Sequence, residues 1–580
     1  IDGALDPIRH FYNAQGKLAR VERPRGEFKD PKLAGDILVD VYRWTPLGHL
    51  KWVTIADNTN EFRVSEFQCD WEGRVVLARD PAGRETKTIY DERGLVLGTL
   101  DNYATLEELA TRWTYDRAGR VVREEDPAGD VRIFEYDAWG RPLKTTEPNG
   151  TTTELSYGPF DLTTEEVVTG DPGDGPPRVL QRTRRRHDQR GRLVRHIAFA
   201  FEDDPGAATQ LVTTYWRDPD GLCREAHDPT GAITRHTYDG LGRLTRTEDP
   251  LGNVTRTDYG PDGRPLRLTD EDQGDPPATR WTELHHDARG RLVTTLRPDG
   301  PVLTQRWDAR DLLVELADAL GVVTRREYGP LDELVREHVD PGGLDLVYTH
   351  DCDPAGREVQ FVDPTGASTG TERDSLGRIR RVDLPGDVHV QHKYDHAGRL
   401  ARTIGPDGTE QRFEYKAGRL HTLEILGDPT LKPVPKHTYT HDGLGRLVRA
   451  QAGGSDIRRR YDSLGRLRQE DNSGRTTALE IDDLARTTRL VYPDKRRELH
   501  RLDALGRVTQ IELEAPGEAG LDGGPPGVLV QASYLGPGRL AAMRHASGAA
   551  THLTYDPLGR LARIGHTDAQ ALPLGAIDLR

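Results

Sequence analysis

Ile233-Thr234-Arg235-His236-Thr237-Tyr238-Asp239-Gly240-Leu241-Gly242-Arg243-Leu244 is the stretch from which the fold is read. A β-branched and aromatic run, Ile233 to Tyr238, leads into a turn, and a polar alternating run leads out. An Asp at the first turn position accepts hydrogen bonds from the backbone two residues on, and Gly at the fourth suits a type I turn. Arg243 and Leu244 restart an extended segment with their side chains on opposite faces. A second signal follows at Asp249-Pro250-Leu251-Gly252, where Pro presets φ at the second turn position and Gly closes the turn. The unit is strand, turn, strand, turn: one hairpin of a meander.

The unit recurs. Its marker glycines Gly221, Gly242 and Gly263, and again Gly356, Gly377 and Gly398, stand 21 residues apart. Further copies sit at Gly16, Gly48, Gly73, Gly94, Gly119, Gly191, Gly290, Gly418, Gly445, Gly506 and Gly538. The fullest copies are Tyr136-Asp137 with Gly140-Arg141, Tyr238-Asp239 with Gly242-Arg243-Leu244, and Tyr394-Asp395 with Gly398-Arg399-Leu400. Tyr461-Asp462 with Gly465-Arg466-Leu467 and Tyr555-Asp556 with Gly559-Arg560-Leu561 complete them. A fixed period of this size marks a repeat array. Asp311 and Asp332 replace the glycine in two copies, and Asp is among the few residues that tolerate a left-handed backbone. Ala485 does not fit, so its unit is expected to use another turn.

Only 35% of the 580 residues are hydrophobic while 30% are charged, and the apolar residues are spread thinly. Regular aromatic and β-branched runs between specific turns argue against a disordered chain. Along Arg243 to Glu248 one face carries Arg243, Thr245 and Thr247, and the other Leu244, Arg246 and Glu248. Neither face is cleanly apolar, whereas a sandwich needs one hydrophobic face per sheet. A sheet wet on both sides must rely on cross-strand pairs. About 40 strands would make a ribbon roughly 190 Å long, which must twist. Coiling it into a spiral lets successive turns meet edge to edge around a hollow middle. The expected class is therefore all-β: a single array over 1–580 of antiparallel hairpins, wound as a spiral sheet into a hollow shell.

The recurring Tyr-Asp-x-x-Gly-Arg-Leu resembles the YD repeat of the Rhs family, which includes bacterial Rhs polymorphic toxins, toxin-complex B and C components and teneurins. The resemblance covers nearly the whole chain. It implies a β-shell that encloses a C-terminal toxin or other polypeptide cargo, works with delivery machinery, and is secreted or displayed at a bacterial cell surface. No catalytic residue is carried over from it; an enzyme built on the repeats has no supporting motif, and no cofactor is expected. The rival implied by the family is a surface adhesion or carbohydrate-binding module, for which Trp113, Trp139, Trp216, Trp281 and Trp307 are candidate sugar-stacking residues. Complete bacterial members continue into an aspartyl autoprotease and a toxin. No Asp-Pro-x-Gly-Leu cleavage signature stands near the C-terminus, so the chain is expected to be shell wall without protease or cargo.

Loop insertions are expected near 22–43, 99–112, 159–186, 199–215, 268–285, 422–438 and 510–533, where breaker-rich stretches such as Gly170 to Pro177 interrupt the meander. Between Asn102 and Arg112 the pattern predicts a short helix, with Thr105 and Glu108 as a capping box. The chain begins at Ile1, carries one methionine, Met543, and reads as part of a longer or processed product. It has no signal peptide and no apolar run near 18 residues, so no membrane-spanning helix is expected.

Other chemistry finds little support. Cys69, Cys223 and Cys352 lack metal-ligand spacing, and Cys69 and Cys352 occupy Tyr positions of their repeats. His285-His286-Asp287 suggests a metal site or a base, but His286-Asp287, like His187-Asp188, is the Tyr-Asp position of a copy. The basic runs Arg182 to Arg186 and Arg458 to Arg460 each precede a turn on a strand, which splits their charges between two faces. With a net charge of −15 the chain has no global basic footprint, and nucleic acid is not an expected partner. The Asp-rich turns lack the consecutive ligand spacing of calcium loops.

Overall fold

The computed structural model describes residues 8–24, 37–56, 59, 62–273, 278–427, 434–514, 527–556 and 559–579. Among them are 49 strands in one sheet, two single-turn 3-10 segments (Pro159–Asp161 and Pro205–Ala207) and no α-helix. Strands run from four residues (Arg9–Tyr12) to ten (Arg178–His187). Each pairs antiparallel with its neighbours in the chain, as Ile233–Tyr238 does with Cys223–His227 on one side and Leu244–Glu248 on the other.

The turns carry this regularity. In the Tyr238 copy the Asp239 N–H donates to Arg243 O (3.0 Å), and the Gly242 N–H donates to Asp239 O (3.0 Å). Gly242 has φ +79°, so the turn is a type I turn followed by a left-handed residue, the three-residue hairpin loop with a glycine bulge. The bulge falls at Tyr238, which pairs with Leu244 after a register shift. The opposite end repeats the geometry, with Asp249 N–H to Asn253 O and Gly252 N–H to Asp249 O. The degenerate copies follow the same rule: Asp311 (φ 68°) and Asp332 (φ 65°) take the glycine's place. At Ala485 the turn shifts, and Arg486 adopts the left-handed position at φ 52°.

The helix expected over 102–112 is absent, and this corrects the sequence reading. Asn102 and Ala104 are left-handed (φ 58° and 62°), and Leu109–Tyr115 is a strand. Only seven residues separate Asp101, the end of one strand, from Leu109, the start of the next, too few for a stable helix without tertiary support. The capping-box residues serve a loop instead: Glu108 Oε2 accepts from Ala104 N–H, and Thr105 Oγ1 accepts from Glu107 N–H. Of the expected insertions, 159–186 is loop at 171–177 but strand over Thr163–Gly170 and from Arg178 onward, and 199–215 is loop at 201–208 but strand from Thr209 onward. The stretches 25–36, 274–277, 428–433 and 515–526, where four others fall, lie outside the described residues.

Only 13 hydrophobic residues are buried among those described, and three of them, Ile197, Phe199 and Phe201, form the one buried apolar cluster described. The accessible surface is 33806 Å². A compact monomer of this mass would expose about 20,000 Å². The two faces of the sheet differ in degree. In Ile233–Tyr238 the side chains of Arg235 and Thr237 are exposed, while Thr234, His236 and Tyr238 are half-buried. Val323–Tyr328 repeats the pattern with Arg325 and Glu327 exposed.

The chain divides into two compact units. One comprises Ile1–Phe134, His286–Thr294 and Pro301–Lys436; the other comprises Glu135–His285, Thr295–Gly300 and His437–Arg580. Each brings together stretches far apart in sequence. In the first, Arg23 donates to Pro330 O (3.2 Å) and pairs with Asp332 (3.1 Å), while Asn102 Nδ2 donates to Ser375 Oγ (2.6 Å). In the second, Thr151 Oγ1 donates to Gly443 O (3.0 Å) and Gly443 N–H to Asp171 O (2.7 Å). Ser463 inserts between strand ends: its N–H donates to Phe201 O (2.9 Å), and its hydroxyl donates to Phe199 O (2.6 Å) while accepting from Phe201 N–H (2.9 Å). In these contacts a Tyr-Asp-type turn of the later stretch seats on strand ends or loops at the opposite edge of the earlier stretch.

Candidate functional site

The repeated Tyr-Asp-x-x-Gly-Arg-Leu constellation is the feature the chain replicates, and its geometry assigns each residue a task. Asp239 Oδ1 accepts from the N–H groups of Leu241 (2.9 Å) and Arg243 (3.0 Å), and Oδ2 accepts from Arg243 Nε (2.7 Å). The backbone hydrogen bond from Arg243, joined by its guanidinium, holds the Asp239 carboxyl below the usual carboxylate range against the opposing effect of desolvation. Fixed in this way, the Arg243 guanidinium lies 4.6 Å from the ring centroid of Tyr259 in the next repeat. Tyr259 in turn donates its hydroxyl to Leu244 O (2.9 Å). One motif thus grips the tyrosine of the next. Tyr238 makes the corresponding bond backward, to Cys223 O (3.0 Å), and burial raises the pKa of its phenol.

The other full copies agree. Asp137 binds the N–H groups of Trp139 and Arg141 and pairs with Arg141 Nε (2.7 Å); Arg141 lies over Tyr157 at 4.4 Å and reaches Asp161 (2.8 Å). Asp395 binds Ala397 and Arg399, and Arg399 lies over Tyr415, whose hydroxyl donates to Leu400 O (2.9 Å). Tyr394 donates to Ile379 O, Tyr461 to Leu447 O and Tyr555 to Leu540 O. Asp462 pairs with Arg466 and Asp556 with Arg560. Gly140, Gly242, Gly398, Gly465 and Gly559 all have positive φ. Leu244, Leu400, Leu467 and Leu561 pair across the bulge from Tyr238, Tyr394, Tyr461 and Tyr555, and Tyr136 closes the strand Val131–Tyr136.

Sequence reading missed the stacking of motif arginines such as Arg141, Arg243, Arg378 and Arg399 on the next repeat's Tyr, and the Tyr-to-carbonyl bond. The available signal was a recurring separation of 15 residues between Tyr and acceptor, as in 238 to 223, 394 to 379 and 415 to 400, which becomes 14 in 461 to 447 and lengthens where loops intervene, as in 534 to 508. Trp44 and Trp307, at Tyr positions, keep the bond through Nε1, to Leu18 O (2.7 Å) and Leu292 O (2.8 Å).

The remaining candidates separate clearly. Trp139 and Trp216 are 82% and 59% exposed. Trp113, Trp281 and Trp307 are half-buried and engaged with Glu124, Arg267 and Leu292 O respectively. In the basic runs, Arg182 and Arg184 pair with Glu165 and Arg185 with Glu166, while Arg458, Arg459 and Arg460 pair with Asp456, Glu470 and Asp174. Cys69, Cys223 and Cys352 are free and half-buried, and burial raises the thiol pKa of Cys69 and Cys352. Among the described residues no group of three His, Cys, Asp or Glu is placed to hold a metal ion. No helix among them is long and apolar enough to cross a membrane. A cavity of about 650 Å³ in the first unit is lined by Glu107, Arg378, Arg381, His392 and Tyr394, among others. Its Arg378 is already paired with Asp374 (2.6 Å).

Comparison with known proteins follows the repeat. The RHS Repeat profile matches residues 115–152, 136–171, 217–253, 238–275 and 286–323. Double-stranded DNA deaminase toxin A of Burkholderia cenocepacia (strain H111) is 26% identical over 393 residues, 58% of this chain and 25% of that protein. Probable deoxyribonuclease RhsB of Dickeya dadantii (strain 3937) is 31% identical over 363 residues, 55% of this chain and 24% of that protein. The chain thus spans about a quarter of the length of these relatives. The crystal structure of TcdB2-TccC3-TEV shares the fold, with a TM-score of 0.57 and 15% identity over 96% of this chain and 32% of that one.

Proposed function

We propose that this chain, which belongs to the Rhs (YD-repeat) family, is wall material: a segment of a hollow β-shell that sequesters a toxic polypeptide until delivery. The observation that carries the proposal is the sheet itself. It has 49 strands, few buried apolar residues, and a surface well beyond that of a compact monomer. Such a sheet does not organise a dry interior of its own, and what it can do is enclose. A lining of paired charges would not grip an unfolded chain hydrophobically. The chemistry would belong to the cargo, with the repeats contributing no catalysis, and the assembly would act outside the producing cell or at its surface. Toxin names among the relatives support the association with a toxin.

Limited proteolysis of the full gene product tests this. A cargo segment held inside the wall should resist protease at concentrations that digest the same segment expressed alone. Digestion at equal rates would overturn the proposal. The adhesion reading keeps two exposed aromatic residues in its favour, Trp139 and Trp216. A glycan array on the purified chain decides it, since loss of a signal on Trp139→Ala and Trp216→Ala would move the function outward.

A further inference from the structure

Arginines face each other across a strand pair four times in the described registers, and at three of these places carboxylates bridge or neutralise them. Arg402 and Arg412 are opposed, and both bind Glu410. Arg449 and Arg458 are opposed, and both bind Asp456 at 2.9 Å. Arg246 and Arg256 are opposed, and pair with Glu248 and Glu271, each at 2.7 Å. The fourth opposed pair in the described registers is Arg186 and Arg195. Both side chains are exposed, and neither makes a hydrogen bond or ion pair among the described residues. Like charges directly opposite each other destabilise a sheet. This site therefore lacks the carboxylate that the other three possess.

Its surroundings are those of a recognition surface. Arg195 is opposite Thr214, and Thr214 is opposite His227, so Arg186, Arg195, Thr214 and His227 form one row across four strands. Trp216 lies two residues from Thr214 on the same face, 59% exposed, its ring 5.9 Å from that of His227. The nearby acids are committed: Glu165 to Arg182 and Arg184, and Glu225 to His227 (2.8 Å) and Arg235 (3.3 Å). All of these residues belong to one compact unit.

We propose that Arg186 and Arg195 receive the carboxylate of an Asp or Glu from an acidic segment of another polypeptide, and that Trp216 covers the side chain beside it. A polypeptide is favoured because Glu or Asp side chains neutralise the other three pairs, a single carboxylate bridging two of them. Two guanidinium forks a strand spacing apart, about 5 Å, suit one bidentate carboxylate.

The test is fluorescence polarisation of the purified chain with a labelled, end-blocked hexapeptide of alternating Glu and Leu, its Gln-Leu counterpart, and sodium sulfate as competitor. The Glu peptide should bind and the Gln peptide should not. Arg186→Gln with Arg195→Gln should weaken binding at least ten-fold, and Trp216→Ala several-fold. Binding that is unchanged in the double variant overturns the site. Sulfate binding more tightly than the peptide, with no effect of Trp216→Ala, overturns the polypeptide assignment. Arg195→Glu supplies the missing carboxylate in cis and guards against misfolding as an explanation. It should raise the thermal midpoint while abolishing peptide binding, and a folded Arg195→Glu protein that still binds the peptide refutes the proposal.

Discussion

At the scale of the residue, the motif is a division of labour within one aspartate. One carboxylate oxygen closes the turn and the other aims the arginine, so Asn could replace only the first function and Ser neither fully. Asp116, Asp188 and Asp239 are held below the ordinary carboxylate range first by backbone N–H donors and then by their arginines. A carboxyl whose folded pKa lies below its unfolded value adds stability above the unfolded pKa, and that stability is lost as pH falls through the folded one. The copies should therefore fail together. Circular-dichroism melts should show a near-constant midpoint from pH 8 to 5 and a progressive fall below about pH 4, where unfolded aspartates titrate. A midpoint that falls between pH 7 and 5 would place the sensitivity on histidines instead.

At the scale of the element, each hairpin is defined by its turns, and many are tied to the next by Arg on Tyr, as at Arg243 and Tyr259. This explains why two copies tolerate Asp where Gly is expected. Asp332 sits left-handed, yet its carboxylate receives Arg310 (2.8 Å) and Arg23 (3.1 Å), and the Arg310 side chain is only 3% exposed. Asp311 receives Arg289 and Arg291 from a position 60% exposed. Replacing either residue by Gly relieves backbone strain of about 1 kcal/mol. Asp311→Gly loses only a surface pair, worth 0–1 kcal/mol in typical cases, so it should be close to neutral. Asp332→Gly leaves the buried Arg310 guanidinium with Asp308 and the Gly329 carbonyl but short of one carboxylate, and should cost about 2 kcal/mol despite the relieved strain. Urea denaturation of the two variants checks the ordering, and equal effects would show that the Arg310 contact contributes nothing. The 102–112 stretch teaches the converse. Its Thr-Glu pair has a helix-start pattern, but the next strand begins too soon for a helix to form, and local propensity yields to the ladder.

At the scale of the whole molecule, what joins sequence-distant stretches is sparse and polar. In the second unit Ser463 makes three bonds to the strand end at Phe199 and Phe201, and Asp272, with its side chain 3% exposed, is held by Arg280 and Arg539. Contacts of this kind are not part of the strand ladder, so they should open before it does. Ser463→Ala removes two of the three bonds and strands buried backbone groups, for a loss of about 1–3 kcal/mol. Hydrogen exchange should quicken at residues 199–203 and 462–466 and stay unchanged in the hairpin around Tyr238. Uniform acceleration over the chain would mean that these contacts and the ladder unfold as one.

The amino-acid sequence by itself determined the repeat, because everything the repeat requires lies within about 20 residues: the Asp that caps, the Gly or Asp that goes left-handed, and the alternation that leaves both faces polar. It also placed the basic run Arg182 to Arg186 on a strand, though not that Arg186 faces Arg195. Register across a bulge, the grip of Arg243 on Tyr259, and the meeting of Thr151 with Gly443 or Ser463 with Phe201 were decided only by tertiary structure. The reason is physical: such contacts join groups whose separation in sequence is set by how the sheet twists, and twist accumulates over many strands while no single residue encodes it.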